Sequence, residues 1–127
     1  MKSISIILVG LVLYFNVFSQ DNQPKKGQLT VINKTVDFGN VKPDTTLTVK
    51  FFFVNSGTQN IAIEYVNPDC TCTNYTLSSN IVNPRDTAYV ELRVNTTGKY
   101  GRNKIYSTMR ANTFVKMYKL TVVFTVI

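Results

Sequence analysis

Thr87-Ala88-Tyr89-Val90-Glu91-Leu92-Arg93-Val94 alternates without a slip. Ala88, Val90, Leu92 and Val94 fall on one side of an extended chain and Thr87, Tyr89, Glu91 and Arg93 on the other, because successive strand residues face opposite ways. This reads as a half-buried strand of fixed register. Working outward, Thr46 to Asn55 sends Leu47, Val49, Phe51 and Phe53 to one face and Thr46, Thr48 and Lys50 to the other. Phe52 and Val54 then break the polarity and point to a neighbouring element or a partner. Ile61, Ile63 and Tyr65 form the inward face of a further strand, and Ile105, Ser107, Met109 and Ala111 that of another. The last segment sets Tyr118, Leu120, Val122, Phe124 and Val126 against Lys119, Thr121, Val123, Thr125 and Ile127. Two short strands, Leu29 to Ile32 and Thr35 to Phe38, bring the count to about seven.

Turn residues stand between these runs: Lys42-Pro43-Asp44, Asn55-Ser56-Gly57, Asn67-Pro68-Asp69, Asn83-Pro84-Arg85, Thr97-Gly98 and Ala111-Asn112. Each offers a fixed φ, a tolerated positive φ or a side chain that bonds its own backbone. No stretch holds helical spacing for more than a turn from Thr30 onward. The expected fold is all-β, an antiparallel two-sheet sandwich of immunoglobulin type. It is not the antibody subtype, since there is no Trp and the two cysteines are too close in sequence to bridge the sheets.

The chain has 127 residues and opens with Met1-Lys2, an apolar run from Ile4 to Phe18, and a polar break from Gln20 to Gly27. That is the layout of a secretory signal peptide, with Val17 and Ser19 placed for cleavage before Gln20. The run is short of the roughly 20 residues a spanning helix needs, though an uncleaved anchor is the alternative. No Cys stands at the cleavage position for a lipid anchor, and no transmembrane segment is expected after cleavage. The expected organisation is a signal peptide over 1–19, a flexible lead over 20–28 and one sandwich domain over 29–127, with no sorting module after the last strand. Export implies a periplasmic or secreted location.

Fourteen Lys and Arg against seven Asp and Glu leave a formal charge of +7. A basic exported protein favours acidic glycans or lipid headgroups over nucleic acid as partners; scattered charges serving solubility are the plain alternative. The sequence contains no His. Without it, and without paired carboxylates at workable spacing or a Ser-centred motif, hydrolase or transferase chemistry is not expected, and neither is a cofactor.

The chemistry that remains sits at Cys70-Thr71-Cys72, the only cysteines. In a regular strand the Cβ atoms of residues i and i+2 lie roughly 6 to 7 Å apart, against about 3.5 to 4.5 Å in a disulfide. A Cys70–Cys72 bond therefore needs a kink, which Pro68-Asp69 can supply, and would be strained and readily reduced. A loop-fixing disulfide or buried thiol pair, a redox-active pair, a soft-metal site for Cu(I) with Met109 or Met117 adding a thioether, and intermolecular bonding all stay open. Zinc is disfavoured for want of four ligands.

Val36-Asp37-Phe38-Gly39-Asn40-Val41, Phe51-Phe52-Phe53-Val54-Asn55-Ser56-Gly57, Asp69-Cys70-Thr71-Cys72-Thr73, Ile81-Val82-Asn83-Pro84 and Asn95-Thr96-Thr97-Gly98 occur in an order that resembles a known family. These are the small exported proteins of Gram-negative bacteria grouped as domain of unknown function family 1573, and the resemblance covers about residues 34 to 126. It implies an immunoglobulin-like sandwich akin to domains of ciliary and centrosomal proteins, and carries no catalytic residue. Two positions depart from the family pattern: Thr71 stands in place of the glycine of Cys-Gly-Cys-Thr, and Arg85 where a glycine often follows the proline. Thr disfavours the positive φ that Gly would permit, so either the turn lies outside residue 71 or the cysteines are held more extended.

Asp44-Thr45-Thr46 and Asp86-Thr87-Ala88 resemble the O-glycosylation acceptor of some Gram-negative periplasms, making Thr45 and Thr87 candidate sites; an Asp-Thr turn bond is the plain reading. Asn33-Lys34-Thr35, Asn74-Tyr75-Thr76 and Asn95-Thr96-Thr97 match the eukaryotic N-glycan sequon and carry no meaning in a bacterial chain. Phe51, Phe53, Tyr65 and Phe124 fall on core faces. Tyr75, Tyr89, Tyr100 and Tyr106 point outward and, with Arg93, Arg102, Lys104 and Arg110, are candidates for a basic aromatic surface, or simply for cross-strand pairing. The leading expectation is a non-enzymatic exported module that binds an envelope protein or glycan by a sheet face or edge. The alternative is a thiol redox or copper site at Cys70 and Cys72.

Overall fold

The computed structural model describes residues 27–127. The signal peptide and most of the flexible lead expected over 20–28 lie outside the described residues. Nine strands follow in order: β1 Leu29–Val31, β2 Thr35–Val41, β3 Thr46–Asn55, β4 Ile61–Pro68, β5 Thr73–Leu77, β6 Ile81–Val82, β7 Thr87–Asn95, β8 Gly101–Ala111 and β9 Met117–Val126. They form a four-stranded sheet, β1-β3-β7-β5, and a five-stranded sheet, β2-β9-β8-β4-β6. The predicted all-β two-sheet sandwich is what the chain adopts. One pairing is parallel, β2 with β9, and the rest are antiparallel.

The core forms where the inward faces of the two sheets meet. Phe51 and Phe53 of β3 and Val90, Leu92 and Val94 of β7 come from one sheet; Ile61, Met109, Leu120, Val122 and Phe124 come from the other. The faces predicted for β7, β8 and β9 are the faces that are buried. The final strand is not an edge: β9 lies between β2 and β8. Val123 is buried on the outer side, at the level where Asp37 and Lys104 flank it.

Tyr65 departs from the expectation. The pairing of β4 with β8 shifts register between Ile63 and Tyr65, so one extra residue is accommodated and the inward phase passes to Val66. A β-bulge of this kind redirects every side chain beyond it. Tyr65 is accordingly 44% exposed on the outer face. Pro68, expected in a turn, ends β4 instead. The Asp69 N–H donates to the Tyr106 carbonyl at 2.9 Å, which puts the backbone of Pro68 in the phase that faces away from β8. That side is open here, because β6 pairs only with Ile61 and Ala62. A proline costs no ladder bond in such a place.

Packing reaches back into the segment expected to be flexible. Gly27 bridges Thr113, and the Gln28 carbonyl accepts from the Ser56 N–H at 2.8 Å. A Cβ on Gly57 would lie 2.8 Å from the Gln28 nitrogen, so the glycine of Asn55-Ser56-Gly57 is required by close approach of the backbone that leads into β1. On the same turn, Asn55 is fully buried and fully bonded. Its Nδ2 donates to the carbonyls of Gln59 at 2.8 Å and Val82 at 2.9 Å, and its Oδ1 accepts the Gly57 N–H at 2.9 Å. Since Val82 belongs to the other sheet, this one side chain ties the two layers together. Thr96, also fully buried, does similar work at another turn: its Oγ1 accepts the Thr45 N–H at 2.9 Å and approaches the Thr45 carbonyl at 3.0 Å.

Arg85 has a φ of 72°. With Pro84 before it and an Asp86 N–H to Asn83 carbonyl bond of 3.0 Å, the turn is type II, whose third residue must take a positive φ. Glycine suits that position and Arg does not. Replacing Arg85 with Gly is expected to stabilise the domain by about 0.5–1 kcal/mol, the relief of a left-handed L-residue less the added freedom of the unfolded chain. Urea unfolding of the two proteins checks it, and an unchanged or lower midpoint would contradict the assignment.

Candidate functional site

Cys70 and Cys72 lie in the tight turn that carries the chain from β4 in one sheet to β5 in the other. The kink foreseen for a disulfide is this turn. The two Cα atoms are 5.0 Å apart and the sulfurs are bonded to each other. The Thr73 N–H donates to the Cys70 carbonyl at 3.0 Å, the Asn95 N–H to the Cys72 carbonyl at 2.9 Å, and the Cys72 N–H to Cys70 Sγ at 3.1 Å. Thr71 is exposed at the tip and is not among the residues with positive φ. The turn therefore closes without the glycine that the family motif carries there.

Both cysteines pack half-buried against the core. Neither methionine reaches them: Met109 pairs with Val66 and is buried in the core, and Met117 pairs with Arg110 at the level of Tyr65. At about 3.3 Å per residue those levels are roughly 13 and 16 Å along the strand from Cys70. The Met117 sulfur instead accepts from Tyr65 Oη and Arg110 Nη1, each at 3.8 Å. A thiolate site would require reduction first. Among the described residues there is no group of three or more His, Cys, Asp or Glu placed to hold a metal ion.

Replacing Cys70 and Cys72 together by Ser is expected to lower stability by about 1–2 kcal/mol, since the loop closed is very short and chain-entropy stabilisation grows with loop length. Partner binding should be retained. Thermal unfolding together with a binding assay checks both, and a lost activity in a well-folded double variant would favour the thiol reading.

A second assembly lies on the outer face of the five-stranded sheet. Registers align Tyr65 with Arg110 and Met117, Asn67 with Thr108 and Lys119, Tyr106 with Thr121 and Thr35, Lys104 with Val123 and Asp37, and Arg102 with Thr125. The bulge in β4 places Tyr65 on this face. Arg110 Nε donates to Glu64 Oε1 at 2.8 Å, and Arg102 lies 3.6 Å from Asp37 across β9. Lys119 Nζ sits 4.4 Å from the centre of the Tyr106 ring, a cation–π contact. Neither Lys104 nor Lys119 forms an ion pair with a described residue.

Of the residues grouped from the sequence, Tyr106, Arg102, Lys104 and Arg110 come together here. Arg93 and Tyr89 do not: they occupy the outer face of the other sheet, Arg93 bonded to Glu91 at 2.6 Å and Tyr89 against Phe52 and Lys50. Phe52 thus finds its neighbour within its own sheet. Tyr100 stands alone in the loop before β8, 86% exposed. Tyr75 does not lie on an outer face. It pairs with Leu92, whose side chain points into the core, and it is 42% exposed only because β5 is the sheet's last strand. Lys119 and Tyr65 belong to the surface but were not grouped with it; strand periodicity places Lys119 outward, whereas nothing in the periodicity marks the bulge that turns Tyr65. Of the candidate glycosylation residues, Thr45 is half-buried with its N–H and carbonyl engaged by Thr96, and Thr87 is exposed at the start of β7.

The whole of this arrangement, from β1 through β9, falls within residues 29–126, and across that span the chain matches the family described as protein of unknown function (DUF1573). The chain belongs to this family. No curated protein sequence matches it. Among solved structures, this DUF1573 chain is similar to a protein of unknown function from Porphyromonas gingivalis W83, at a TM-score of 0.71 and 11% identity over 86% of this chain and 51% of that one. It is also similar to the secreted serine protease VesC from Vibrio cholerae, at 0.59 and 16% over 84% and 24%. The ASH/PapD-like domain 7 of human CEP192 gives 0.61 and 12% over 83% and 89%. The DUF1573 chain spans about half of the first protein and a quarter of the second. At these identities the likeness is one of fold, an immunoglobulin-like two-sheet sandwich.

Proposed function

We propose that this DUF1573 chain is a non-enzymatic, exported module of the bacterial cell envelope that holds an acidic glycan on the outer face of its five-stranded sheet. The observation that carries the reading is the pair of lysines on that face that form no ion pair. Arg102 and Arg110 are matched there by Asp37 and Glu64, and Asp69 stands opposite Tyr106 at the end of β4, while Lys104 and Lys119 flank a line that runs past Tyr106 and Thr121. Tyrosine rings supply flat apolar contact for sugar faces, and the cations supply attraction for carboxylate or sulfate groups. The absence of His from the sequence supports a binding role over general acid–base chemistry. Export is supported by the composition of residues 1–19.

The test uses polygalacturonate as the acidic polymer. Exchanging both Lys104 and Lys119 for Gln is expected to weaken binding by about tenfold, in line with exposed ion contacts worth up to about 1 kcal/mol each. Affinity should also fall with added salt, because surface charges are screened beyond a Debye length. Titration calorimetry at two ionic strengths reads both effects. Binding that ignores salt and the paired substitution would defeat the glycan reading. An intact mass lacking residues 1–19, taken on protein isolated from its own cell envelope, tests export separately; a full-length mass there would contradict it.

A further inference from the structure

The four-stranded sheet ends on β5, and this edge has none of the features that keep edges from pairing. Short length, bulges, prolines and charges are the usual guards. The edge strand β1 has three residues and β6 two, while β2 carries Asp37 and a register shift at Phe38 and Gly39. In β5, Thr73-Asn74-Tyr75-Thr76-Leu77, there is no charge and no proline, and pairing with β7 runs without a shift.

The phase of that pairing shows which main-chain groups are left over. The Asn95 N–H donates to the Cys72 carbonyl and the Ser78 N–H to the Tyr89 carbonyl, each at 2.9 Å. In an antiparallel ladder, hydrogen-bonded residues alternate with ones whose N–H and C=O point the other way. Asn74 and Thr76 therefore bond to β7, and Thr73, Tyr75 and Leu77 direct their groups away from it. The Thr73 N–H is held by the Cys70 carbonyl. Tyr75 and Leu77 retain free N–H and C=O groups on a strand that pairs with no other described element.

We propose that β5 is the surface through which two copies of this chain pair, antiparallel about a twofold axis at Tyr75. In that register the two Tyr75 residues exchange N–H···O bonds, and each Leu77 N–H meets the Thr73 carbonyl of the second copy. The Thr73 N–H is already engaged by Cys70, so each Leu77 carbonyl, at an end of the pairing, is left to solvent. A twofold interface must be self-complementary, and the Tyr75–Tyr75 and Leu77–Thr73 bonds form symmetry-related pairs. Side chains agree: Asn74 faces Thr76, Thr73 faces Leu77 and Tyr75 faces Tyr75, the last a cross-strand aromatic pair. Charge does not oppose pairing at this strand: the chain as a whole carries +7, but β5 has no cation of its own to set against its copy.

Sedimentation of the purified full chain over a range of concentrations, with amide hydrogen exchange at the same concentrations, tests the pairing. The expected result is a reversible, concentration-dependent dimer, since so few bonds over a small area belong to the transient class of interfaces. In it the Tyr75 and Leu77 amides, free in the monomer, become protected. Tyr75→Lys places like charges opposite each other across the axis and should weaken the dimer by about tenfold or more. Tyr75→Pro removes a donor the monomer does not use and should do the same, with cooperative unfolding retained in both. A chain that stays monomeric at every concentration overturns the proposal. So does a dimer that leaves the Tyr75 and Leu77 amides exchanging freely.

Discussion

Asn55→Ala is expected to lower the stability of the domain by about 3–4 kcal/mol, enough to shift its melting temperature down by roughly 10–20 °C for a domain of this size. The side chain is fully buried and makes three hydrogen bonds, to the carbonyls of Gln59 and Val82 and from the N–H of Gly57. Alanine removes all three: it strands the Val82 carbonyl at a buried junction, while the part-buried Gln59 and Gly57 groups lose a bond but lie nearer water. A buried group so stranded costs about 1–3 kcal/mol, and each of the other bonds lost about 0.5–1.5 kcal/mol. Asp is a sharper test, because it keeps the acceptor for Gly57 and loses both donors. It should recover little of the loss. Chemical denaturation of the three proteins decides the matter, and an Asn55→Ala midpoint close to that of the parent would show that water replaces the side chain.

Phe51→Ala should cost about 3–5 kcal/mol, the range for deleting a fully buried aromatic ring, whereas Phe52→Ala should cost no more than about 1 kcal/mol. The two residues are neighbours in sequence and identical in chemistry. What separates them is the pleat of β3: Phe51 has no solvent exposure and sits between the sheets, while Phe52 is 41% exposed and leans on Tyr89 with the ring centres 5.6 Å apart. The Phe52 loss is limited to that aromatic contact and partial burial. Circular dichroism melts of both variants give the comparison. Equal losses would mean that β3 is registered one residue away from the pairing described, since a one-residue slip exchanges the two faces.

Where alternation is unbroken, the face assignments follow from the residues alone. Ala88, Val90, Leu92 and Val94, and Tyr118 through Val126 in steps of two, are buried as the pattern requires. Such segments have one apolar side, and only one register buries it. Strand β5 was not legible in the same way, because Thr73, Asn74 and Thr76 have no apolar face to declare and the strand exists by virtue of its pairing with β7. Nor was β6, two residues long. The Phe51-Phe52-Phe53 run and the Asn55-Ser56-Gly57 turn signalled a buried strand and its end, yet the reason for Gly57 is the Gln28 backbone arriving from far along the chain.

The candidate surfaces divide along the same line. That Tyr106, Arg102, Lys104 and Arg110 share a face is a consequence of period two on one strand, and it needed no structure. That Tyr65 joins them, that Arg93 and Tyr89 do not, and that Tyr75 marks an open edge were settled by a bulge, by the division of strands between two sheets and by strand order. These are relations between segments distant in sequence. The residues at hand thus dictated strands, faces, turns and the fold class, because those depend on contacts within a few residues and on which side is apolar. Sheet membership, edge position and the gathering of charges onto one face depend on which strands become neighbours, and that is decided only when the whole core closes.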